Sequence, residues 1–375
     1  MNVLHIYRTY FPDAPGGVQE AIKQICLATR EYGVESKIFT LSPNPVPCEL
    51  LFPEGGVVRA KSWAAPASCD IGGLGSLLRY RELARWADVL HFHFPWPFGD
   101  VLRMLGDRAK PAVMTYHSDV VRQTKLKLIY APLARQMLRS MSAVIATSPP
   151  YVESSPVLRA WGRPERLHVI PLGICDYFAG NGPRNFDPEV LARLQLGARP
   201  YFLFLGALRY YKGLHTLIEA ASSIHAHIVI AGDGPSLGRL QRFAVGRGAS
   251  NVIFAGQVSR EEKTALLAGC RALVLPSHLR SEAFGMVLAE ASMFGKPMVC
   301  CEVGSGTSYV NEDGVTGFVV PPESPHLMAE ALNVLFADEA RASRMGAAAR
   351  ARYERLFSGA VLGASHRKLY DAVVA

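Results

Sequence analysis

Short apolar runs alternate along the chain with segments whose apolar residues recur at helical spacing, the pattern of parallel sheets wrapped by helices. NVLHIY (Asn2 to Tyr7) opens it as a strand. A loop with Pro15, Gly16 and Gly17 follows, then a helix carrying Val18, Ile22, Ile25 and Tyr32 near one face and ended by Gly33. Further strands are expected at VESKIFT, DVLHFHF, PAVMTYH, AVIATS and LHVIPLG. After a polar Pro/Gly/Asn stretch from Asp176 to Pro200 the alternation resumes with YFLFLG, HIVIAG, NVIFAG, ALVLP, PMVCC and FVVP. The simplest account is an α/β chain of two Rossmann-like, doubly wound halves, 1–171 and 172–355. The last stretch, 356–375, reads as a helix that need not belong to the half before it and is expected to pack back on the first.

A chain of 375 residues with 49% apolar composition can bury a core large enough for two domains. Of the net charge of +8, most lies in the first half, where 20 basic residues face 14 acidic ones within 1–171. These charges are scattered rather than blocked, which disfavours a nucleic-acid partner. Seven cysteines without a CxxC spacing fit a reducing compartment better than a disulfide framework. No leader pattern and no apolar run of membrane-spanning length is visible, so a cytoplasmic protein is expected, at most peripheral on the inner face of the membrane. A segment combining Lys125, Lys127, Arg135 and Arg139 with Leu126, Leu128, Ile129 and Leu133 has a composition compatible with a bilayer surface, or with an ordinary half-packed helix.

In open α/β sheets ligands collect at the carboxyl ends of strands, so the loops after each apolar run are where chemistry is expected. After YFLFLG come Arg209, Lys212 and Gly213, two cations suited to phosphate oxygens. After PMVCCEV come Gly304, Ser305, Gly306 and Thr307, small residues that let backbone amides approach an anion. After ALVLP comes SEAFGMVLAE, with Glu282 and Glu290 flanking a helix start. Eight residues of helix would separate the carboxylates by ~12 Å along the axis, about the length of a nucleotide diphospho-sugar's middle. The amides of Phe284, Gly285 and Met286 would lie between them at the positive end of the helix dipole.

Taken with GALRYYKG, AGDGP, FAGQVSREE and EVGSGTSYVNEDGVTGFVVPP, in that order and spacing, SEAFGMVLAE resembles the E-x7-E element of the retaining GT-B glycosyltransferases of family 4. The match covers essentially the entire chain. RTYFPDAPGGVQEAI and HFHFPWPFGD are more similar to bacterial mannosyl- and D-rhamnosyltransferases of polysaccharide assembly. The resemblance implies the GT-B fold, two Rossmann-like domains facing each other across a cleft. It also implies a nucleotide diphospho-sugar donor, GDP-linked, and a glycan or polyprenyl-linked acceptor, with no cofactor and no metal.

Carried over position by position, the resemblance makes Arg209 and Lys212 the diphosphate cations and Glu290 the ribose contact. Glu282 would meet donor sugar hydroxyls, with backbone groups at Phe284, Gly285 and Met286 completing the pocket and Val258 at its base. His117, in TYHSD, would reach the reacting centre. Gly16 and Gly17 would form the turn beneath the donor's β-phosphate, although a loop needing positive φ fits the same residues. Two departures stand out: Ala207 occupies the place where many members carry arginine, leaving Arg209 to supply the charge, and Ala283 replaces the more usual glycine.

Absent patterns narrow the chemistry further. No two aspartates stand at i and i+2, so the metal clamp of the other large glycosyltransferase fold is missing; no GxxxxGK[ST], HExxH or GxSxG occurs either. His91 and His93 share a strand face by alternation, but no third ligand at compatible spacing supports a metal site. Transfer with retention, the leaving phosphate stabilised by fixed cations and amides, is the expected mechanism. A sugar-nucleotide epimerase on the same fold and a non-catalytic scaffold that binds sugar nucleotide are the alternatives.

Overall fold

The computed structural model describes residues 1–66, 69–119, 124–176, 189–197 and 199–375, with the backbone alone for 124–129. It divides into two units, Met1–Cys175 with Gly359–Ala375, and Asp176–Ser358. These divisions lie four and three residues beyond the ones expected from composition, and most of the polar stretch after Asp176 (177–188 and 198) falls outside the described residues.

Among the described residues the first unit holds nine strands: β1 (Asn2–Ile6), β2 (Glu35–Ser42), β3 (Glu49–Phe52), β4 (Gly55–Ala64), β5 (Ile71–Gly72), β6 (Val89–Phe94), β7 (Ala112–Tyr116), β8 (Ala143–Ala146) and β9 (Leu167–Val169). Their order is β3-β4-β2-β1-β6-β7-β8-β9, with β5 attached to β4. All pairs are parallel except β3 with β4 and β4 with β5. Every residue of β6 and β7 is buried, as expected of strands covered on both faces.

The hairpin β3–β4 and the short β5 escape the alternation of the sequence, because β4 begins with two glycines and carries Arg59 and Lys61. Arg59 is buried all the same. Its guanidinium is matched twice to Asp13, at 2.7 and 3.0 Å, and donates to the carbonyls of Pro47 and Asn44 and to Ser42 Oγ. A fully answered guanidinium is what makes a charge tolerable there.

The helix Gly17–Arg30 places Ala21, Ile22, Ile25 and Ala28 inward. Against it lies the helix Gly359–Val374, which therefore belongs to the first unit although it follows the second in the chain. Tyr32 Oη donates to the Ala360 carbonyl at 3.0 Å and Arg367 Nη1 to the Tyr32 carbonyl at 2.7 Å. Leu362, Leu369 and Tyr370 enter one apolar cluster with Val3, Ile25, Val89 and Val113. At about 1.5–3 kcal/mol for each large apolar side chain, that helix is a substantial part of the unit's core.

The second unit holds β10 (Tyr201–Leu205), β11 (His227–Ala231), β12 (Val252–Gly256), β13 (Ala272–Leu275), β14 (Met298–Cys301) and β15 (Gly317–Val320). All are parallel, in the order β12-β11-β10-β13-β14-β15. The unit's first strand thus lies between its second and its fourth, and the order reverses between β10 and β13. That reversal opens the crevice where doubly wound sheets bind nucleotides.

No helix among the described residues is long and apolar enough to cross a membrane. In the helix Thr124–Arg139, Arg135 and Arg139 are exposed; the side chains of Lys125, Leu126, Lys127, Leu128 and Ile129 lie outside the described residues. All seven cysteines are free thiols.

Candidate active site

The loops leaving β10 and β13 meet at the reversal of the second sheet. Gly213, at φ +66, starts the helix Leu214–Ala220, and a Cβ there would stand 1.9 Å from the Pro276 carbonyl oxygen just past β13. Only glycine accepts both the left-handed backbone and that approach. The His278 amide donates to the Tyr211 carbonyl at 3.1 Å and ties the two loops together.

Across this junction Lys212 Nζ donates to Glu282 Oε2 at 2.5 Å, and Ser277 Oγ donates to the same oxygen at 3.2 Å. Both ends of the ion pair are largely shielded, with side chains 12% and 11% exposed. Burial pulls the Lys212 ammonium toward its neutral form, but Glu282, with help from Tyr211, outweighs it, and the net shift is upward. Lys212 is therefore a permanent cation at neutral pH. Arg209, at the start of the turn Tyr210–Lys212, is exposed. It thus provides a charge at the loop's surface rather than a second buried one.

Glu282 lies in the loop, not in a helix. The helix runs from Met286 to Met293 with Gly285 before it at φ +84, so the helical rise separates the carboxylates only over Met286 to Glu290, and the ~12 Å reading from eight helical residues does not hold. The amides of Phe284, Gly285 and Met286 have no acceptor among the described residues, which leaves three donors at the positive end of that helix. Glu290, on the helix, is buried and its Oε1 receives Lys263 Nζ at 2.5 Å. Lys263 was missed in the sequence. Its signal was the capping box Ser259 to Glu262, which fixes the start of the helix Arg260–Gly269 and sets Lys263 one turn into it. Val258 precedes that box, half-buried, after β12.

The Gly304 to Thr307 segment is less available than its composition promised. The Gly304 amide donates to Glu302 Oε1 at 2.7 Å and the Gly306 amide to the Ala283 carbonyl at 2.8 Å, so its backbone braces the Glu282 loop.

In the first unit the reversal of strand order falls between β1 and β6. Gly16 and Gly17 stand after β1 at the start of the helix Gly17–Arg30, both exposed. Gly16 is extended at φ 177 and neither glycine is left-handed, so the positive-φ explanation is wrong for both. His117 follows β7, buried to 5% exposure, and burial lowers its pKa to about 3. It is neutral at pH 7.

His117 is joined to a column of buried histidines. His93 Nδ1 lies 2.9 Å from His117 Nε2, and His93 Nε2 lies 3.1 Å from His5 Nδ1. His91 meets Tyr370 Oη and Thr115 Oγ1, each at 2.7 Å. The absence of a third histidine, inferred from spacing, is corrected by the sheet: β1 pairs with β6 and sets His5 opposite His91. Ring nitrogens of His5, His91 and His93 lie within 4.8 Å of one another. All but Nε2 of His5 are engaged in hydrogen bonds, which compete with any metal for the same lone pairs.

The profile for glycosyl transferases group 1 matches residues 191–352, and that for glycosyltransferase family 4 matches residues 15–176. D-rhamnosyltransferase WbpZ of Pseudomonas aeruginosa is 42% identical over 359 residues, spanning 96% of this chain and 92% of that protein. The chain belongs to glycosyltransferase family 4. O-antigen chain mannosyltransferase C of Escherichia coli is 37% identical to this glycosyltransferase over 100% of its length and 99% of the relative's. Among solved structures, sucrose-phosphate synthase of Thermosynechococcus elongatus superimposes with a TM-score of 0.81 over 99% of the chain and 98% of the neighbour, at 21% identity. WaaG, a glycosyltransferase involved in lipopolysaccharide biosynthesis, gives 0.69 over 99% of each, at 17% identity. At those identities the likeness concerns the fold, and this glycosyltransferase has the GT-B architecture of two Rossmann-like units.

Proposed function

We propose that this glycosyltransferase moves a mannosyl or D-rhamnosyl group, with retention, from a GDP-linked donor to a hydroxyl of a growing, lipid-linked bacterial glycan at the inner face of the cytoplasmic membrane. The observation that carries the reading is the Lys212–Glu282 pair at the strand-order reversal of the second sheet, beside three unclaimed amides. The sugar and the glycan class are drawn from the D-rhamnosyl- and O-antigen mannosyltransferases to which the chain is similar.

In this reading the diphosphate sits against Lys212, Arg209 and the amides of Phe284, Gly285 and Met286, while Glu290 takes the ribose and Glu282 the sugar hydroxyls. Gly16, Gly17 and Val258 contact the donor, and His117 serves the reacting centre. As the glycosidic bond breaks, positive charge grows at the anomeric carbon and negative charge on the leaving phosphate. Fixed donors stabilise the second of these without a divalent ion. The acceptor hydroxyl attacks the face the leaving group vacates and gives its proton to a phosphate oxygen.

In the proposed roles Glu282 and Glu290 hold opposite ends of the donor, each ion-paired to its own lysine, rather than acting together on one glycosidic bond. The test is incubation of the purified protein with GDP-, UDP- and ADP-sugars in EDTA, with and without membrane extract. Acceptor-dependent transfer from a GDP-sugar, the new linkage keeping the donor's anomeric configuration, is expected. Donor consumption without acceptor, binding without transfer, or transfer only after a divalent ion is added would overturn the reading.

A further inference from the structure

His117 is the outer end of a string of three rings, and the inner end decides which proton the outer end shows. The string runs from His5 Nδ1 to His93 Nε2 and from His93 Nδ1 to His117 Nε2. Each nitrogen pair shares one proton, and a neutral imidazole carries only one N–H. Two arrangements are possible. In the first, His117 donates inward from Nε2, His93 passes its own proton inward, and His5 is left with an N–H at Nε2. In the second every proton points outward: His5 donates to His93, His93 donates to His117, and His117 holds its proton on Nδ1.

The first arrangement is the costly one. His5 is 0% exposed and its Nε2 has no hydrogen-bond partner, so an N–H there would be a strong donor buried without an acceptor. The second leaves only a bare lone pair at that point, the milder deficiency of the two. It also frees Nδ1 of His117, which no described residue engages, to act as a donor at the strand end. Burial holds all three rings neutral, lowering His5 and His117 to about 3 and His93 well below its ordinary value.

We propose that His5 and His93 are positioning residues that fix His117 as the uncharged Nδ1–H tautomer, offering a hydrogen bond to a phosphate or hydroxyl oxygen of the sugar nucleotide. That last step rests on the placement of His117 at the donor in the proposed function; the tautomer itself does not. A neutral donor suits a group whose oxygen gains charge during the reaction, since it strengthens its bond as charge develops and holds no ion tightly beforehand.

The experiment is long-range 1H–15N correlation on the full-length, histidine-labelled protein at pH 7 without ligand. His117, His93 and His5 are each expected to show a protonated Nδ1 and an unprotonated Nε2. A protonated Nε2 on His117, or an equal mixture, overturns the inference even if the enzyme transfers sugar as proposed. For the positioning role, H93L removes the partner of His117 Nε2, and H93Q restores an amide able to donate to it. H93L is expected to blur the His117 tautomer signal and raise the donor KM about tenfold, while H93Q keeps both within about threefold of the parent. An H93L protein with the parent's donor KM overturns the positioning role. The parent spectrum keeps the tautomer testable if H93L does not fold.

Discussion

Lys212, leaving β10, and Glu282, leaving β13, meet at 2.5 Å over the one place in the second sheet where neighbouring strands lead the chain in opposite directions. Removing one partner strands the other's charge in a shielded site. Lys212→Met or Glu282→Leu alone is therefore expected to cost about 2–4 kcal/mol of stability, and K212M/E282L together within about 1 kcal/mol of the parent. All three should lose transfer. Urea unfolding curves measured beside turnover check this; a double variant that transfers sugar at the parental rate would remove the pair from the mechanism.

Glu290 and Lys263 form a second pair, on the helices that follow β13 and β12. If Glu290 holds the ribose, Lys263 fixes its orientation without reaching the reacting centre. Lys263→Met should then raise the donor KM about tenfold, roughly 1.4 kcal/mol, and leave kcat within about twofold. A variant with lowered kcat and unchanged KM speaks against that division of labour.

The two limbs of the pH–stability curve have different owners. Burial raises Asp100 from 3.8 to about 8, so the folded protein keeps a proton that the unfolded chain releases, and stability falls as pH rises through that range. Burial lowers His5 and His117 from 6.5 to about 3 and His366 to about 4, so the unfolded chain takes up protons the fold refuses, and stability also falls as pH drops below 6.5. Thermal melts from pH 4.5 to 9 should peak near 6.5. Asp100→Asn, which keeps an acceptor for the Tyr130 hydroxyl, should flatten the alkaline limb and steepen the acid one, because the Asp100 slope runs all the way from 3.8 to about 8 and opposes that of the histidines below 6.5.

Gly213 and Gly314 share a left-handed backbone, at φ +66 and +72, but not a neighbourhood. A methyl at 213 meets the Pro276 carbonyl at 1.9 Å, whereas one at 314 meets nothing within 4 Å. Gly314→Ala should cost about 1 kcal/mol and Gly213→Ala several times that, with loss of donor binding because the two loops are forced apart. Equal melting temperatures for the two variants would deny the close approach its importance.

Much of this was legible because buried parallel strands are written as uninterrupted apolar runs: YFLFL and VLHFHF became fully buried strands. The family's loop motifs led to Lys212, Glu282 and Glu290, whose side chains the fold pairs with partners distant in sequence. What escaped depends on such distant pairing. Arg59 hid a central strand, since its charge reads as surface until Asp13, 46 residues away, is brought beside it. His5 looked like one more strand residue until parallel register set it against His91. Lys263 carried no motif of its own, and its meaning comes only from Glu290, 27 residues on.

The helix Gly359–Val374 completes the first unit's apolar cluster, yet all of Asp176–Ser358 precedes it in the chain. During synthesis the inserted unit thus has its residues earlier, while the cluster of Val3, Ile25 and Val89 still lacks Leu362, Leu369 and Tyr370. The unit whose strands come first along this sequence is therefore the one whose last structural element is made latest.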